Sequence, residues 1–267
     1  GVAGARHVLE REGYRWVAPL SAFYPRQNQT VAVPAWSLSF PQSSLEATKA
    51  QNSKSRVKPD YIALRPLPAS VNDQQYEFGV AEAKGTHLAI ANLPSCPLPW
   101  YNQARNISLT LDGAILPVPR NLVIATRVNP NAEYRKTRRL QVRAWNKADE
   151  TIHAAPAELV SDVVSAHLFG LFKNLRLPDT ARAIANSVEL RANIPNGSLR
   201  NSFANRNDAL NASDEELARK LKPITRQGDD IGHSTTIKTE LGRNIEVILA
   251  TQVINLVQKV CRASTAA

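Results

Sequence analysis

At 267 residues the chain is long enough for one large domain, or a domain with an extension, built around a sizeable core. Hydrophobic content of 43% with 21% charged residues excludes a disordered chain, and two cysteines, Cys96 and Cys261, exclude a disulfide framework or a zinc cluster. The net charge of +10 points to a polyanionic partner, and no apolar run approaches the ~20 residues of a membrane span.

The amino-terminal stretch has no apolar signal-like core, so the expected compartment is cytoplasmic, with no membrane partner. Residues 4–12, GARHVLERE, read as a short helix stopped by Gly13 at the C′ position. Residues 14–40 are aromatic and β-branched but cut by Pro19, Pro25 and Pro34, which predicts one or two strands with irregular connections. The polar run 41–56 reads as a surface loop or a frayed helix. Strands are expected at 56–66 and 76–85, joined as a hairpin by eight or nine turn-rich residues. A helix is expected near 101–110, then strands at 120–129 and 138–147.

After residue 150 the period changes. Val160, Val163, Val164, Leu168, Leu171, Phe172 and Leu175 recur at helical spacing, and 179–192 continues as a second helix. Ser213 with Glu216 three residues on reads as a capping box opening a third. The apolar stretch 244–262 favours a fourth, although its β-branched residues leave a strand start open. The expected fold is therefore α/β: a core over 1–150 with a mixed central sheet flanked by helices, and a mostly helical region over 151–267 that packs on the core or forms a dimer or DNA-binding surface.

One short stretch carries chemistry. In EFGVAEAKGTH (77–87), Glu82 and Lys84 stand two apart in a strand and so share a face. This is the one place in the chain where an acidic residue precedes Lys by two, and it lies 22 residues after Pro59-Asp60, on the partner strand of the same hairpin. Two carboxylates on adjacent strands can converge on one hard divalent cation such as Mg²⁺, which accepts one or two carboxylates plus phosphate oxygens and water. A lysine on the same face can stabilise charge developing on a phosphorus. The bland alternative is an edge-strand ion pair worth less than about 1 kcal/mol.

KPDYIAL and GVAEAKGT, with the element order over residues 5–147, resemble the PD-(D/E)xK nuclease superfamily of restriction-endonuclease-like fold. The resemblance implies a metal-dependent nuclease hydrolysing DNA, in a restriction, defence or toxin setting. It implies Asp60, Glu82 and Lys84 as catalytic residues, with Asp60 and Glu82 as ligands of Mg²⁺ (or Mn²⁺). Many members add an acid from the first helix, here Glu10 in preference to Glu12, and a Gln from the second, here Gln103. The Gln-x-x-x-Tyr form of that second motif is broken, because Ile107 stands where the tyrosine would be. The basic run at Arg135, Lys136, Arg138, Arg139 and Arg143 would contact phosphates, and a homodimer would serve double-strand cutting. The alternatives are a non-catalytic nucleic-acid-binding module and a protein-interaction module on the same fold.

Overall fold

The structure, a computed structural model, describes residues 2–23, 36–39, 59–67, 75–86, 93, 95–111, 114–116, 118, 120–128, 140–148, 154–187, 206–226, 229–239 and 242–263. The chain forms two compact units, Gly1–Val163 and Val164–Ala267.

The amino-terminal unit opens with α1 (Val2–Arg11), β1 (Trp16–Pro19) and a 3-10 turn (Leu20–Phe23), then β2 (Trp36–Ser39), β3 (Tyr61–Pro66) and β4 (Tyr76–Gly85). It continues with α2 (Leu98–Arg105), β5 (Ser108–Leu111), β6 (Ala114–Leu116), β7 (Arg120–Val128) and β8 (Leu140–Ala148). Five strands make a mixed sheet in the order β1-β3-β4-β7-β8. β4 pairs antiparallel with β3 and parallel with β7, while the remaining neighbours are antiparallel. The fold is thus α/β with a mixed central sheet, as the hairpin and the alternation at 120–129 and 138–147 predicted.

α1 covers one face of that sheet. Its Ala5, Val8 and Leu9 pack with Tyr14, Val17, Ala63, Ala81, Leu122 and Ile124, which all lie on the α1 side. Full burial of side chains such as Leu9, Leu122 and Ile124 contributes about 1.5–3 kcal/mol each. The helix ends as its sequence predicts. Gly13 takes φ +90°, the Gly13 amide donates to the Glu10 carbonyl at 3.0 Å and the Tyr14 amide to Leu9 at 2.9 Å.

The same face holds an ionic lock at its far end. Glu77 accepts from Arg65 at 2.5 Å and from Arg120 at 2.7 Å, and is 1% exposed. The Arg65 guanidinium lies 5.8 Å from the Tyr14 ring centroid, and burial together with the Glu77 charge pushes the Tyr14 phenol up to about 12. Gly79 leaves room for this ring, since a Cβ there would fall 2.7 Å from the Tyr14 hydroxyl.

One expectation for this unit needs correction. The helix is shorter and earlier than 101–110, and Ser108–Leu111 is a strand in a separate three-stranded sheet of order β2-β5-β6. The alternation Ile107, Leu109, Leu111 against Ser108 and Thr110 has period two, and β-branched residues favour the pleated pairing it finds with β2 and β6.

The carboxyl-terminal elements are α3 (Ala157–Asn174), α4 (Pro178–Ser187), α5 (Arg206–Lys220), β9 (Lys222–Arg226), β10 (Asp229–Lys238), β11 (Asn244–Leu249) and α6 (Thr251–Ala263). This unit was expected to be mostly helical, yet it contains an antiparallel sheet of order β11-β10-β9. The apolar stretch 244–262 divides into strand and helix. Asn244, Glu246 and Ile248 face one way while Ile245, Val247 and Leu249 face the other, so the two-residue period prevails before Ala250. No helix among the described residues is long and apolar enough to cross a membrane.

Ser213 and Glu216 are also reassigned, because α5 begins at Arg206 and both residues lie buried inside it. Glu216 instead serves two other helices. Its Oε2 accepts from the Thr180 amide at 2.9 Å and hydroxyl at 3.1 Å, closing the first turn of α4. Its Oε1 accepts from Lys220 at 3.0 Å, and that ammonium also donates to the Arg176 carbonyl at the end of α3, 2.9 Å away. Glu216→Ala removes a buried carboxylate cap and leaves Thr180 unpaired, so a loss of about 2–4 kcal/mol is expected in urea unfolding. A change under 0.5 kcal/mol would show that water replaces the cap.

Candidate active site

The β3–β4 hairpin assembles the site. Its register sets Tyr61 opposite Ala81, and one step further brings Asp60 level with Glu82. Three backbone contacts fix Asp60: its amide donates to the Ala81 carbonyl at 3.0 Å, its carbonyl accepts from the Leu20 amide at 2.8 Å, and its Oδ2 accepts from the Ala83 amide at 2.8 Å.

Glu82 follows from alternation along β4. Ala81 and Ala83 turn toward α1, so Glu82 and Lys84 turn to the opposite face. Glu82 is 2% exposed, its Oε1 accepts from Lys84 Nζ at 2.6 Å, and its buried Oε2 has no hydrogen-bond partner among the described residues. Burial, first of all, and the neighbouring Asp60 carboxylate raise its pKa from 4.5 to about 7, against the lowering pull of Lys84. Lys84 also donates to Gln103 Oε1 on α2, at 2.5 Å. Packing of α2 over β4 and β7 holds that amide above the strand.

The structure thus brings Asp60, Glu82, Lys84 and Gln103 together. Glu10 does not join them. α1 runs across the sheet from Gly4, which lies against Thr126, toward Tyr14, which lies against Gly79. Glu10 is an exposed residue of α1, which covers the face of the sheet opposite to Glu82, and it pairs with Arg6 at 3.2 Å. Among the described residues no three His, Cys, Asp or Glu side chains cluster tightly enough to hold a metal. Arg135, Lys136, Arg138 and Arg139 lie outside the described residues.

Two aromatic residues belong to the same face and were not singled out by sequence. The parallel register sets Val123 beside Glu82 and Ala125 beside Lys84, and the β7–β8 register then sets Trp145 beside Val123 and Arg143 beside Ala125. The Trp145 ring centroid is 6.2 Å from that of Trp100 on α2, and the Arg143 guanidinium lies 5.3 Å from the Trp145 ring. The alternation of β8 was legible, but its face could be assigned only through two successive strand registers.

The donor set fits a hard cation. Glu82 lies within electrostatic reach of Asp60, and its buried Oε2, without a hydrogen-bond partner among the described residues, keeps lone pairs for a cation. Mg²⁺ accepts two protein carboxylates and completes its shell with water and phosphate oxygens. No protein-family model matches this chain, and no significant match is found among curated proteins or solved structures.

Proposed function

We propose that the protein is a Mg²⁺-dependent nuclease that hydrolyses phosphodiester bonds of DNA on a restriction-endonuclease-like core. The observation that carries this reading is the convergence of Asp60, Glu82, Lys84 and Gln103 on one sheet face. The order α1, antiparallel β1-β3-β4, α2, then β7 and β8, with β4 and β7 parallel, supports the fold. The net charge of +10 supports a polyanionic substrate.

Asp60 and Glu82 would hold the cation, which when bound neutralises charge building on the phosphorus and acidifies an attacking water. The residues supply the rest. Lys84 carries three N–H donors, of which two go to Glu82 and Gln103. The third is directed to a non-bridging phosphate oxygen, whose negative charge grows as the bond to the incoming oxygen forms. Gln103 holds the ammonium in place, so that little reorganisation is needed during reaction. A module that only bound nucleic acid would gain nothing from two carboxylates facing phosphates.

Supercoiled and linear plasmid incubated with Mg²⁺, Mn²⁺ or EDTA tests the reading. Cutting is expected with either metal, none with EDTA, and a fall of about 10²–10³-fold in Lys84→Ala. Equal background in both proteins would overturn it, and DNA retained without cutting would then identify a binding module.

A further inference from the structure

We propose that the C-terminal unit carries a groove for the phosphodiester backbone of a nucleic acid. An open cleft of about 530 Å³ lies between the ends of α3 and α5 and the exposed sheet face. Arg176 and Lys220 line it from the helices, and Lys222, Ser234, Thr236 and Lys238 from the strands. The β9–β10 register sets Lys222 opposite Ser234, and alternation places Thr236 and Lys238 on that same face. From Ser234 to Lys238 the row runs about 13 Å.

The charges favour an anion. Lys220 is committed to Glu216 and to the Arg176 carbonyl, and there it neutralises the negative end of α3 that would otherwise repel phosphate. Arg176, Lys222 and Lys238 are exposed, and among the described residues Glu246, opposite Thr236, is the one carboxylate lining the cleft. Hydroxyls of Ser234 and Thr236 add neutral donors of the kind that position phosphates without reading sequence.

Arg176 gives an independent indication. It takes φ +58° immediately after α3, a left-handed position where glycine is the least strained residue. The chain keeps a cation there, on the rim of the groove, in spite of that strain. An open trough suits a polymer backbone better than a small metabolite, which an enclosed pocket would hold.

The test uses the full chain in EDTA, with fluorescence anisotropy of labelled 30-base-pair DNA and RNA duplexes across a salt series. Lys222→Gln with Lys238→Gln is expected to weaken binding at least about tenfold on both duplexes and to lower the salt slope by about 2. Arg176→Gly is expected to weaken binding while Tm stays level or rises, an outcome that loss of folding cannot mimic. Unaltered affinity and slope in these variants would overturn the groove. Binding in EDTA is read without cutting, so failure of the nuclease reading leaves this result standing, and the reverse also holds.

Discussion

In metal-free buffer at pH 8, Glu82→Gln is expected to be more stable than the wild type by about 1–3 kcal/mol, and unable to cut DNA. The cause is the burial that raises the Glu82 pKa from 4.5 to about 7. A rise of that size corresponds to about 3 kcal/mol of preference for the neutral form. Between pH 4.5 and 7 the folded chain holds a proton that the unfolded chain releases, so stability falls as pH rises through this window. Below 4.5 the stabilising contribution is fully present, and above 7 it is gone. Glutamine mimics the neutral carboxyl at every pH, so the variant lacks this part of the slope. Urea midpoints at pH 5, 6, 7 and 8 read it directly, and parallel curves for the two proteins would refute the assignment. On the proposed reading Mg²⁺ would bind the ionised Glu82, so at pH 8 it should raise the Tm of the wild type and not that of the variant.

The second large effect lies on the opposite face of the sheet. Glu77→Ala is expected to cost about 3–5 kcal/mol, because it leaves the guanidiniums of Arg65 and Arg120 in a largely buried setting without their shared carboxylate. That is a large part of the 5–15 kcal/mol typical of a folded domain. The lock faces α1 rather than Asp60 and Lys84, so cutting per folded molecule should be unchanged. Denaturant midpoints, paired with activity at a temperature where the variant remains folded, separate the two effects. Replacing Arg65, Glu77 and Arg120 together by apolar residues of similar volume should cost less than Glu77→Ala alone, since no charge is then stranded. Equal losses in the two proteins would mean that packing, not pairing, sets the cost.

How much of this was legible in the sequence depends on the range of the interaction involved. Strand alternation is local, so the shared face of Glu82 and Lys84 could be read directly, and the hairpin brought in Asp60. Gly13 announced the end of α1 because only the immediate chain decides a C′ residue. Glu10 could not be placed, because which turn of α1 nears the carboxylates depends on how the helix crosses the sheet. The error at 108–111 and at 244–249 has one source. Both are short segments that border a helix, and a helical reading of the apolar residues masks four to six residues of period two. Glu216 was misread because Ser-x-x-Glu also arises inside helices, and its true partner, Thr180, is 36 residues away.

The lone parallel pairing in the central sheet has a consequence for assembly. Asp60 meets Glu82 once the hairpin closes across residues 67–75, a short search. Pairing β4 with β7 requires the chain to cross through residues 86–119, a path about four times as long and entropically costlier to close by about 1 kcal/mol. The carboxylate pair is therefore an early, local product of folding, whereas the β7–β8 side of the same face, with Trp145 and Arg143, is a late and non-local one. A chain caught between these stages would have its paired acids before β7 and β8 bring Trp145 and Arg143 to the same face.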